Sequence, residues 1–191
     1  PTYGGPAGLR RLVDSCPARS IAVVLDVVYN HLGPLGNHLE RFGAFFTDRH
    51  ATPWGSAVNF DGEGSDGVRR FVVENAVRWI ERYHVVGLRL DVVHARHYES
   101  AVHIVEEIAT AVHEAGVRAA RTTWVIAESD LNDPRVVRTV GEGGLGADAA
   151  WSDDLHHTLH VALTGERHGY YADYVTGASP LHLMAAAVSD V

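Results

Sequence analysis

A chain of 191 residues, 46% hydrophobic and 21% charged, has the size and composition of one globular domain, and no apolar run approaches the roughly 20 residues of a membrane span. Its 24 acidic residues outweigh 16 basic ones, all of them arginine and all scattered, so no basic stripe is present and neither nucleic acid nor a membrane is an expected partner. Cys16 is the single cysteine, which excludes an intrachain disulfide and fits a reducing, cytoplasmic setting.

Leu9, Leu12, Val13 and Cys16 recur at helical spacing, and Pro17 ends that opening helix. Ile21 to Val28 is a β-branched apolar run without alternation, which predicts a strand buried on both faces of a parallel sheet. The polar, Gly-rich segment 30–67 is too long for a plain connection and is expected to be functional. Val68, Phe71, Val72, Ala76, Trp79, Ile80 and Tyr83 mark an amphipathic helix with Ser65 or Asp66 as its cap. Val85 to Val93 is the next strand, Ala101 to Val112 a helix closed by Gly116, and Thr123 to Ala127 a third strand. Asp133-Pro134 starts a short helix, Ala147 to Trp151 is a fourth strand, and Asp153 or Asp154 caps the helix after it. Strands alternating with helices imply parallel pairing with right-handed crossovers, an α/β fold.

Three acids, Asp26, Asp91 and Glu128, fall at the C-terminal ends of three predicted strands. In a parallel barrel those ends open on one face, the face that carries active sites. Acids crowded there repel one another, so one is expected to hold a proton while another stays ionised. That division suits retaining glycoside hydrolysis, in which one carboxyl attacks and the other protonates the leaving oxygen. Arg89, two residues before Asp91, points to the same side of its strand and would hold Asp91 ionised.

Asp26-Val-Val-Tyr-Asn-His31, Gly87-Leu-Arg-Leu-Asp-Val-Val-His94 and Ala127-Glu-Ser-Asp130 resemble, in order and spacing, three signatures of the α-amylase superfamily. Within it the chain is most similar to the maltooligosyltrehalose trehalohydrolase family, through Pro53-Trp-Gly-Ser-Ala-Val-Asn-Phe-Asp-Gly62, Glu128-Ser-Asp-Leu-Asn-Asp133 and Trp151-Ser-Asp-Asp-Leu-His-His157 above all. The resemblance implies an incomplete TIM (β/α)8 barrel, roughly strands 3 to 6 with their helices and a long loop after the first, forming one partial catalytic domain over residues 1–191. It implies Asp91 as nucleophile, Glu128 as general acid/base, and Asp26, Asn30, His31, Arg89 and His94 as substrate contacts. It implies an α-glucan substrate, maltooligosyltrehalose, cleaved at the α-1,4 bond beside its terminal trehalose, with no organic cofactor and no metal assigned. The alternatives are a glucan branching or transfer enzyme of the same superfamily, or an inactive glucan-binding fragment. The superfamily's Asn-His-Asp signature is expected beyond residue 191, and the β-sandwich domain and first two barrel strands before residue 1. Leu35 and His38 depart from the family's usual residues.

Other signals carry less. Trp54 could stack on a sugar ring or anchor its loop, and Asp153 and Asp154 either line the outer site or cap their helix. His156 and His160 have a metal-ligand spacing, but no third ligand accompanies them. Gly141, Gly143 and Gly146 precede a strand, the wrong context for a dinucleotide-binding turn. Trp79 belongs to a helix's apolar face and is expected in the core.

Overall fold

The computed structural model of the protein describes residues 4–33, 35–52, 55–91, 93, 100–131, 133–175 and 185. Four parallel strands form the main sheet: β1 (Val24–Val27), β5 (Gly87–Leu90), β6 (Trp124–Ser129) and β7 (Ala149–Ser152), side by side in chain order. The intervening β2 (His31–Leu32), β3 (Phe46–Thr52) and β4 (Gly55–Val58) make a separate antiparallel sheet in the order β2-β4-β3. Helices α1 (Gly5–Ser15), α2 (Ser65–Tyr83), α3 (Ile104–Arg118) and α4 (Asp153–Thr164) complete the set. Parallel strands laid down in sequence order, with helices between them, are the pattern of a barrel segment rather than of a doubly wound sheet.

Alternation along each strand separates two faces. Val27, Leu88, Leu90, Val125 and Ala127 are buried with Val13 of α1, Val72, Ala76 and Ile80 of α2, and Ile108 and Val112 of α3. The opposite face carries Val24, Trp124 and Trp151, which are 42%, 48% and 56% exposed. This corrects the expectation for the first strand. It spans four residues, Ile21 and Val28 are exposed, and β1 has a hydrogen-bonded neighbour on one side among the described residues. Its apolar run is that of a barrel strand, but half of it faces the open side.

Several local expectations shift for steric reasons. Helix α2 starts after Gly64, a left-handed residue (φ 75°) with no side-chain cap, so neither Ser65 nor Asp66 caps it. A Cβ on Gly64 would also crowd Ala44. Gly116 does not close α3 but sits inside its last turn, where a Cβ would lie 2.6 Å from Thr123 Oγ1 and 2.8 Å from the Arg121 carbonyl oxygen. Its role is close approach of helix and returning chain. Ser152, not Asp153 or Asp154, caps α4 by accepting from the Leu155 amide at 3.2 Å. Leu12, expected inside, is 62% exposed. Trp79 packs against the core and donates to Asn75.

The long segment after β1 is folded, not extended loop. Asn30 accepts from the Val58 amide through its backbone carbonyl, and the Asn59 side-chain amide donates to the Ala44 and Glu63 carbonyls. Arg69, 8% exposed on α2, then ties this excursion to the loop after β5. Its guanidinium donates to the carbonyls of Phe60 (2.7 Å) and Val102 (2.6 Å) and pairs with Glu107 on α3. The later parts of the connections that follow β1 and β5 are thereby held to the helical layer.

Candidate active site

Parallel register places the candidate residues in rows across the sheet. Asp26 pairs with Arg89, Arg89 with Ile126, and Ile126 with Ala149, so these four share one row on the open face. Two residues further along, Glu128 is paired with Trp151. Asp91, one residue past β5 and two past Arg89, joins that second row, and its amide donates to the Val27 carbonyl at 3.0 Å. Asp26, Arg89, Asp91, Glu128 and Trp151 are at or near the C-terminal ends of their strands.

One guanidinium gathers the acids. Arg89 Nη1 donates to Asp26 Oδ1 at 2.8 Å and to Asp91 Oδ1 at 2.9 Å, while Nη2 meets Glu128 Oε1 at 2.5 Å. The Arg89, Asp91 and Glu128 side chains are 14%, 19% and 13% exposed, and Asp26 is 66% exposed at the rim. Burial works against the charge on Arg89, but the Asp26 hydrogen bond and the fields of Glu128, Asp26 and Asp91 outweigh it, and its pKa rises. Arg89 is therefore a permanent cation that balances one of three carboxylates. Asp91 and Glu128 are held within the span of a single fork, with Oδ1 of one and Oε1 of the other engaged by it.

Asn30 and Asp91 line the same small cavity with Tyr29 and Phe60, and the His31 Nδ1–H donates to Asn30 Oδ1 at 2.8 Å. Asp153 and Asp154 stand in the first turn of α4, just past the C-terminal end of β7. Asp154 Oδ1 accepts from the Tyr174 hydroxyl at 2.7 Å. Burial raises the Asp154 pKa; the Tyr174 bond opposes this, and the nearby charges of Asp130 and Asp153 add to it. His94 and Trp54 lie outside the described residues.

Two features escaped the sequence reading. The Trp151 ring lies over Arg89, with the guanidinium carbon 5.3 Å from the ring centroid. Next to Asp154, the ring of His157 is stacked with Tyr170 and edge-on to Tyr171 and Tyr174. The run Thr164-Gly-Glu-Arg-His-Gly-Tyr-Tyr171 contained the signal, but nothing in spacing told which ring each Tyr would meet. His160, of the supposed metal pair, engages Glu166 at 2.8 Å and stacks on Tyr171. Among the described residues no group of three His, Cys, Asp or Glu is placed to hold a metal ion, and no helix is long and apolar enough to cross a membrane.

No family model matches the chain. Named relatives do. It is 52% identical over 172 residues to the malto-oligosyltrehalose trehalohydrolase of Arthrobacter ramosus, covering 90% of this chain and 30% of that protein. It is 51% identical over 173 residues to the malto-oligosyltrehalose trehalohydrolase of Saccharolobus solfataricus, covering 91% and 30%. A crystal structure of an α-amylase-like protein from Salmonella typhimurium matches 96% of this chain and 31% of its own, with TM-score 0.79 and 34% identity. The chain belongs to the α-amylase superfamily. It spans about 30% of the length of the curated relatives it matches, and its sheet is a corresponding part of the superfamily's barrel.

Proposed function

We propose that the chain carries the two central catalytic carboxylates of a retaining α-1,4-glucan hydrolase that releases trehalose from maltooligosyltrehalose. The observation behind the proposal is the fork of Arg89, which holds Asp91 and Glu128 side by side at neighbouring strand ends. Retaining hydrolysis requires two carboxyls about 5–5.5 Å apart, one ionised and one protonated.

In the first step Asp91 attacks the anomeric carbon of the glucosyl unit next to trehalose. Arg89 fixes the Asp91 Oδ1, which leaves Oδ2 to form the bond. Glu128 gives its proton to the glycosidic oxygen; with Oε1 against Arg89, the proton is carried on Oε2. The C1–O bond breaks and trehalose leaves. In the second step the Glu128 carboxylate takes a proton from water, the water oxygen attacks C1, and Asp91 is released. Asp26, at the exposed rim beside Arg89, contacts sugar hydroxyls, as do Asn30, His31 and His94 by resemblance, with Asp153 and Asp154 on the outer side and Trp54 in the loop after β1.

The 191 residues act as one partial catalytic domain in this reading. A single cysteine, which allows no intrachain disulfide, fits the cytoplasmic setting of this reading. To test the function, the full-length protein is given maltooligosyltrehalose and trehalose is measured by chromatography. Release that survives Asp91→Asn or Glu128→Gln refutes the assignment. A change in iodine staining of amylose, without trehalose release, replaces hydrolysis by branching. Calorimetric binding of maltoheptaose by an inactive full-length protein replaces catalysis by glucan binding.

A further inference from the structure

We infer that Trp151 is a positioning residue for the acid pair: its indole covers the Arg89 guanidinium and holds the fork on Asp91 and Glu128. The inference rests on the reading of those two residues as the catalytic carboxylates, but its physical content can be measured without turnover.

Three observations carry it. Trp151 on β7 is the direct register partner of Glu128 on β6, so its side chain emerges on the same face, in the same row. Its ring lies over the guanidinium carbon at 5.3 Å, within cation–π range. The main sheet brings no other ring over Arg89 among the described residues, and both Nη atoms of the guanidinium are committed to Asp26, Asp91 and Glu128, while its buried Nε has no hydrogen-bond partner among the described residues. A guanidinium bonded along its edge by acids has its flat faces left for water. The indole takes one of them, lowers the local dielectric and so strengthens the field that Arg89 exerts on the two carboxylates.

The packing also argues against a purely structural role. Trp151 is 56% exposed and is absent from the buried core, where Val125 and Ala127 of the neighbouring strand lie.

The test compares Trp151→Leu and Trp151→Phe. In the 191-residue chain, carboxyl titration of Asp91 and Glu128 is followed by carbon NMR with selective labels, independently of any activity. Trp151→Leu is expected to move at least one of the two midpoints upward, because a better hydrated Arg89 stabilises the anions less; Trp151→Phe, which keeps a ring, moves it less. In the full-length protein, Trp151→Leu is expected to lower kcat about 2- to 30-fold with KM nearly unchanged, and to shift the acid limb of the pH profile upward. Phe restores most of the rate. Unmoved carboxyl midpoints in Trp151→Leu overturn the inference, and so does a change confined to KM, which would make the indole a sugar contact. Trehalose release that survives Glu128→Gln would sink the glycosidase reading, while the titration would still decide the Trp151 contact.

Discussion

The two faces of the main sheet are built from alternate residues of the same strands, and they do opposite things. On the helical side, Leu88, Leu90, Val125 and Ala127 are at most 3% exposed and close-packed against α2 and α3. On the open side, Asp26, Arg89, Glu128 and Trp151 crowd charge into rows where three carboxylates share one cation. The first face contributes stability through removal of apolar surface from water. The second holds like charges at close range, an arrangement that costs stability and is retained for chemistry.

Mutations divide by face. The largest expected effect is on activity: Glu128→Gln in the full-length protein lowers turnover about 10²–10⁴-fold. The melting temperature of the same variant is expected to hold, because the Gln side-chain oxygen can still accept from Arg89; a calorimetric scan showing a marked loss would mean that Glu128 is structural. On the helical face, Leu88→Ala is expected to cost about 2–5 kcal/mol in urea unfolding, since the fully buried site leaves a cavity that packed neighbours cannot fill. A loss below about 1 kcal/mol would show that this face is loosely packed.

His103 sharpens the comparison through pH. Its ring accepts from the Val105 amide and caps α3. Burial, reinforced by the charges of Arg69 and Arg135, pushes its pKa down to about 4. The unfolded chain takes up the proton first as pH falls, so the stability due to neutral His103 is complete above about pH 6.5 and is lost between there and about pH 4, to the extent of about 3 kcal/mol. Unfolding measured across that window should lose much of its slope in His103→Asn, which keeps a cap acceptor without the titration. The smallest effect belongs to the open face: Val24→Ser, at a position 42% exposed, should change stability by no more than about 0.5 kcal/mol.

Much of the architecture was legible because it is written in local patterns. Short apolar runs alternating with helical patterns marked the four parallel strands, and acids at the C-terminal ends of three of them marked one face. Arg89 and Asp91 share a side because they are two residues apart on one strand, a fact of strand geometry alone. Helix ends were less legible. Gly64, Ser152 and Gly116 have their roles because of where Ala44, Leu155 and Thr123 come to lie, two of those three partners being outside the helix concerned. The three-stranded sheet within segment 30–67 was missed because its strands are short, one has two residues, and β3 carries a register shift that interrupts alternation. Arg69 read as one of many scattered arginines, and only packing showed it bonded to Phe60, Val102 and Glu107.

By itself, then, the sequence determined which side chains alternate along each strand, where the acids stand on their own strands, and which family the motifs resemble. Tertiary structure alone decided that Asp26, Asp91 and Glu128 meet on one guanidinium and that Trp151 comes over Arg89. The reason is one of range. Alternation is set by the backbone of a few consecutive residues, whereas row alignment depends on the register between strands whose paired residues are 23 to 63 positions apart, which is settled by the packing of every helix between them.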